Sequence, residues 1–249
     1  MTTGTDVAAR LTSDVAALLR KISRSNVSSL ARAGDALYAT VVGDGLIHVA
    51  GAGHGLILAL EAFYRAGGLA CVNPIWDPSM LPLNGGRAST SAERRVGSGS
   101  ALLAGAGVTA GDCLVVSSQS GVNPVPVELA TRGRELGATV IAITSVAHGR
   151  AVASRDPAGR RLADVADVVI DTCTPVGDAA FTVATGAVPV APFSTIATCH
   201  VWNLLLVSIA ARAQSDRIEL PIWRSSNVPG GDAWIDELMG RYAARIAAL

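Results

Sequence analysis

The chain has 249 residues, half of them apolar and only 16% charged, and its twenty basic side chains balance twenty acidic ones. A chain with no net charge offers no field to hold a nucleic-acid backbone or an anionic membrane surface, so the expected partners are small molecules and copies of itself. The length suits one α/β domain with added helices, and the low aromatic and charged content predicts surface buried in a homo-oligomer, a dimer or tetramer.

Reading begins with Val7, Leu11, Val15, Leu18 and Ile22 at spacings of three and four, and Leu30, Ala33, Leu37 and Val41 resume the pattern after a Ser/Asn-rich break. That is one long helix or two. Short apolar runs follow, separated by helical stretches: Leu46 to Ala50, Leu69 to Val72, Cys113 to Val116, Thr139 to Ile143 and Val168 to Ile170. Their alternation predicts a doubly wound, flavodoxin-like α/β/α sandwich around a five-stranded parallel sheet. Ser194 to Arg212 reads as a nearly all-apolar helix, placed at a subunit interface because the sheet is already covered, and Asp232 to Ala248 reads as an amphipathic one. The organisation expected is a single domain over 1–249, with N-terminal helices (1–41), an α/β core and buried helix (42–213) and a C-terminal extension (214–249).

Residue usage removes several chemistries. Lys21 is the one lysine against nineteen arginines, and it lies far from any strand end, which excludes a Walker-type phosphate loop and a Schiff-base lysine. Cys71, Cys113, Cys173 and Cys199 form no C-x-x-C pair, and the four histidines form no ligand spacing, so no metal and no cofactor are expected. Met1 to Asp6 shows neither a basic start nor an apolar signal core, and no apolar run reaches the length of a membrane span; the expected compartment is the cytosol.

In open parallel sheets ligands bind beyond the carboxyl ends of the strands. After the first strand stands Gly51-Ala52-Gly53-His54-Gly55, and after the third Ser117-Ser118-Gln119-Ser120-Gly121-Val122-Asn123-Pro124. The first lacks the third glycine and the acidic partner of a dinucleotide loop. In the second, Asn123 and Pro124 predict a helix start whose free amides and dipole face a cluster of hydroxyls, and that combination makes an anion site suited to phosphate. Thr144 and Ser145 add two hydroxyls after the fourth strand.

These two loops resemble those of the SIS (sugar isomerase) domain family, with Ser118-Gln119-Ser120-Gly121 matching its S-x-S-G loop and Gly51 to Gly55 its glycine-rich loop. The resemblance runs from about Ala31 to Ala213 and is strongest to a branch grouped with the phosphoheptose isomerases, through Phe63 to Gly68, Val72 to Ile75 and Ala166 to Asp171. It implies phosphosugar binding near subunit boundaries. Gly55 stands where the family usually has Ser, and Asn123 where it often has Thr.

Aldose–ketose interconversion needs a base for the proton between neighbouring carbons and an acid at the carbonyl oxygen. The resemblance points to a Glu on the helix after the first loop, where Glu61 stands; the same residue reads equally as an i,i+4 partner of Arg65. His54, in the first loop, is the candidate acid or a hydrogen-bond partner of a substrate hydroxyl. Glu93 reads as ordinary helix-start capping with Ser89 or Ser91, His148 as a solvated helix-end histidine, His200 as an interface histidine, His48 as a strand residue with no partner in view and Arg160-Arg161 as a solvated pair. Three function classes result: a phosphosugar isomerase, a lyase or etherase of the N-acetylmuramic acid 6-phosphate type, and a non-catalytic phosphosugar sensor.

Overall fold

The computed structural model describes residues 4–249, and the reading of Met1 to Thr3 as free of a signal core lies outside them. Helices α1 (Gly4–Ser25) and α2 (Val27–Val42) come first, divided at Asn26. The buried Asn26 amide donates to the carbonyls of Ile22 and Asp171, each at 2.9 Å, and its oxygen accepts the Asp171 N–H at 2.8 Å. The break in helical pattern therefore places Asn26 where it satisfies both backbone groups of Asp171.

Five strands form that sheet: β1 (Ile47–Gly51), β2 (Val72–Ile75), β3 (Cys113–Ser117), β4 (Thr139–Thr144) and β5 (Val168–Asp171). All pair in parallel, in the order β2-β1-β3-β4-β5. The connections carry α3 (Ile57–Ala62), α4 (Gly86–Glu93), α5 (Ser98–Ala104), α6 (Pro124–Glu135), α7 (Val146–Ala151) and α8 (Leu162–Val165). After β5 come an antiparallel hairpin, β6 (Ala179–Phe181) and β7 (Val190–Pro192), then α9 (Ser194–Asp216) and α10 (Gly231–Tyr242).

Period-two alternation divides the interior into two cores. Ile47, Val49, Cys113, Val115, Ile141, Ile143, Val168 and Ile170 pack with buried residues of α2, α3, α9 and α10. Ala50, Leu114, Val116, Val140 and Ala142 face Leu103 of α5, Leu129 of α6 and Leu162 of α8. This is the expected three-layer α/β/α sandwich.

Three expectations need correction. The second strand is Val72–Ile75, not Leu69 to Val72, because Leu69 instead bridges Ile222 in the antiparallel sense. Pro74 is tolerated there because β2 is an edge strand. Helix α9 does satisfy the length and composition of a membrane span, yet it packs within the chain against α1, α2 and α3, with Ala197, Val201, Trp202, Leu205 and Ile209 in the core. His48 has partners: it is fully buried, with Nε2 3.3 Å from Asp112 Oδ2 and Nδ1 3.0 Å from Asn73 Nδ2. Burial holds this imidazole below its ordinary pKa against the pull of Asp112, so it stays neutral at physiological pH.

The chain leaves β1 toward β2 on one side, while β3 lies on the other. That reversal opens a crevice between the loops after β1 and β3.

Candidate functional site

A cavity of about 870 Å³ opens at this crevice. Its floor is the pair of loops singled out in the sequence: Ala52, Gly53, His54, Gly55, Ser117, Ser118, Gln119, Ser120 and Asn123 all line it. The loops fit because their glycines permit close approach. A Cβ on Gly55 would meet the Ser117 carbonyl oxygen at 2.5 Å, and one on Gly51 would meet the Gly55 carbonyl group at the same distance. The missing family serine at position 55 thus has a steric cause.

At the hydroxyl loop, Ser118 Oγ accepts the Gly121 N–H at 3.2 Å, and Gly121 has φ of 63°, which turns the chain into α6. Pro124 and Pro126 carry no N–H, so the first turn of α6 offers the amides of Asn123 and Val125 together with the helix dipole. Gln119 donates through Nε2 to Thr174 Oγ1 at 2.6 Å, while its Oε1 is buried without a protein partner. His148 Nδ1 is likewise buried and unpartnered, and His148 lines the cavity rather than standing in solvent. Both atoms are open to a water molecule or a ligand.

The other predicted residues separate. Thr144 and Ser145 line a neighbouring cleft of about 330 Å³ that shares Ser120 with the cavity. The Ser145 hydroxyl donates to the Thr174 carbonyl at 2.7 Å and accepts the His148 N–H at 3.2 Å, so it serves as the N-cap of α7. Glu61 is ion-paired with Arg65 and does not line the cavity, being one helical turn beyond Ile57, which does. His200 Nε2 lies 3.3 Å from Ser23 Oγ, joining α9 to α1 within the chain, and Arg160 is paired with the buried Asp156.

Glu93 is the carboxylate that α4 delivers to the cavity, beside Ser89 and Thr90. It ends its helix rather than starting it, so the capping reading fails. Burial pushes its carboxyl above the ordinary value, against the opposing pull of Arg94, Arg155 and the Asn123 amide. The hairpin forms the far wall with Ala179, Val190 and Pro192, and Asp178 ties it to α9 by accepting from Ser194 N at 2.8 Å and Ser194 Oγ at 2.6 Å. Neither the hairpin nor Ser194, Thr195 and Thr198 of α9 entered the sequence reading as site residues. Strands of three residues carry no period, and the three hydroxyls are hidden in an apolar helix.

The family model for the SIS domain matches residues 11–145. A UPF0309 protein of Streptomyces coelicolor is 38% identical over 231 residues, 92% of each chain. Among solved structures, phosphoheptose isomerase from Neisseria gonorrhoeae superposes with a TM-score of 0.56 at 17% identity, covering 84% of this chain and 100% of its own. The sugar isomerase domain of the RpiR transcription factor from Sphaerobacter thermophilus superposes at 0.51 with 15% identity, over 93% of this chain and 97% of its own. At those identities the structural likeness is one of fold. With more than half its length matched by the family model and nearly all of it by the bacterial relative, the chain belongs to the SIS domain family.

Proposed function

We propose that this chain binds a phosphorylated sugar in the β1/β3 crevice and interconverts its aldose and ketose forms. One observation carries the reading: a cradle of hydroxyls and amides at a helix N-terminus shares a single cavity with a carboxylate whose pKa is raised by burial. The structural neighbours that are phosphoheptose isomerases support it. The phosphate rests on Ser118, Gln119 and Ser120, and the open-chain sugar extends toward Glu93.

Glu93 takes the proton from C2. The C–H electrons form the C1–C2 double bond, and the carbonyl oxygen at C1 is protonated by His54, giving an enediol. Glu93 returns the proton to C1 while the C2 hydroxyl gives its proton to His54, which forms the ketose and restores both side chains. Four free cysteines support a cytosolic setting, and the exposed apolar face of α9 supports a homo-oligomer.

Thermal denaturation tests the ligand class. Phosphosugars raise the melting temperature, whereas the matching unphosphorylated sugars at equal concentration leave it unchanged. Equal stabilisation by both would refute the phosphate assignment.

A further inference from the structure

Asn123 is the N-cap residue of α6, yet its side chain makes no capping bond. Both ends of the amide are used elsewhere. Nδ2 donates to Glu93 Oε1 at 2.8 Å, and Oδ1 accepts from the Arg155 guanidinium at 3.2 Å. A guanidinium has donors and no acceptor, so Arg155 determines which way the amide points and turns its NH2 toward Glu93. The carboxylate therefore has one oxygen committed. The other lies over Gly53, where an added Cβ would meet Oε2 at 3.6 Å, on the floor of the cavity.

Arg155 itself is held by a built loop. Its N–H donates to the Val122 carbonyl at 2.8 Å, joining it to the hydroxyl loop. The next residue, Asp156, is 5% exposed and accepts from Ala158 N, Arg160 N and the Arg160 side chain.

We propose that Arg155 and Asn123 are positioning residues that act in series, Arg155 orienting the Asn123 amide and Asn123 holding Glu93 Oε1 so that Oε2 alone is presented to the substrate. Asn123 thus serves the carboxylate rather than the phosphate, which departs from its assignment in the sequence as a substrate-binding side chain. The inference rests on the reading of Glu93 as the base, deepens it, and is testable without a substrate.

The charged groups acting on Glu93 are Arg94 on its own helix end and Arg155 across from it. On the elements packed against α4, the remaining charged or titratable groups are His54, Asp77 at the cap of the turn Pro78–Met80, and Glu128, Arg132, Arg134 and Glu135 of α6; Glu128 is occupied by the amides of Gly97 and Gly99, Arg132 is paired with Glu135 and Arg134 with Asp167. The measurement is the pH titration of the Glu93 carboxyl carbon by NMR, assigned through the loss of its signal in Glu93→Gln. Both Asn123→Ala and Arg155→Ala shift the midpoint upward, since each removes an influence that favours the ionised form, and Arg155→Lys returns it toward wild type. Arg155 is exposed, so its variants keep the fold even where Asn123→Ala does not. An unchanged midpoint in folded Arg155→Ala overturns the relay. The base assignment stands or falls separately, on proton exchange by Glu93→Gln.

Discussion

Glu93 closes the last turn of α4, where the helix dipole and burial both disfavour a negative charge. A carboxyl whose folded pKa is raised contributes stability below the ordinary value near 4.5, and loses it as pH rises through the folded pKa. At neutral pH the charge is thus a cost to the fold. Glu93→Gln is expected to melt higher than wild type at neutral pH, with the difference closing at pH about 4, where both side chains are uncharged. A lower melting temperature at neutral pH would show that Glu93 is a structural anchor. In the sequence this residue resembles a cap, because serines and a glutamate close together read as a helix start, whereas the helix ends at Glu93. Gly51 to Gly55 and Ser117 to Ser120 were legible because their chemistry is local. The partner of Asn123 was not, since Glu93 and Arg155 are each about thirty residues away in sequence and only the fold brings them together.

Among the elements, β1 with its turn against the end of β3 sets the floor of the cavity. Gly55→Ala is expected to cost about 1–3 kcal/mol by overpacking, since backbone lies on both sides of the contact. It also displaces Ser117 and Ser118, so phosphosugars no longer raise its melting temperature. A variant of wild-type stability that retains the ligand shift would contradict this packing. The strands β1, β3, β4 and β5 were readable as apolar runs because they are buried from both faces. Strand β2 slipped by three residues because the apolar residues just before it turn elsewhere: Leu69 bridges Ile222 and the Ala70 N–H donates to the Pro221 carbonyl, so that only the Cys71 carbonyl reaches β1. The hairpin escaped notice because each of its strands is three residues long.

Across the whole molecule, α9 presents two faces. One packs into the core; the other exposes Val207 at 68% and Ile196 at 42%, close to α3 with Leu60 at 72%. From the start of the same helix, Ser194, Thr195, Thr198 and Cys199 line the cavity. An apolar face of this kind is suited to a second copy, and light scattering at micromolar concentration is expected to give a dimer or larger assembly. A mass of 25.3 kDa, that of one chain, would contradict it. The sequence suggested an interface for α9 from its composition alone. It did not show which residues of that helix, Ala197, Val201, Trp202, Leu205 and Ile209, serve the core.

The proposed proton transfer by Glu93 on a phosphorylated sugar held at the crevice is tested most directly by deuterium exchange. A panel of phosphosugars is incubated with the protein in deuterated water, and NMR follows label at C2 of the aldose and C1 of the ketose. Wild type is expected to incorporate deuterium into one aldose–ketose pair, and Glu93→Gln to do so about 10²- to 10⁴-fold more slowly while still binding that sugar. Exchange by Glu93→Gln at the wild-type rate would contradict the assignment of the base, and binding without any exchange in wild type would make the protein a sensor rather than an isomerase.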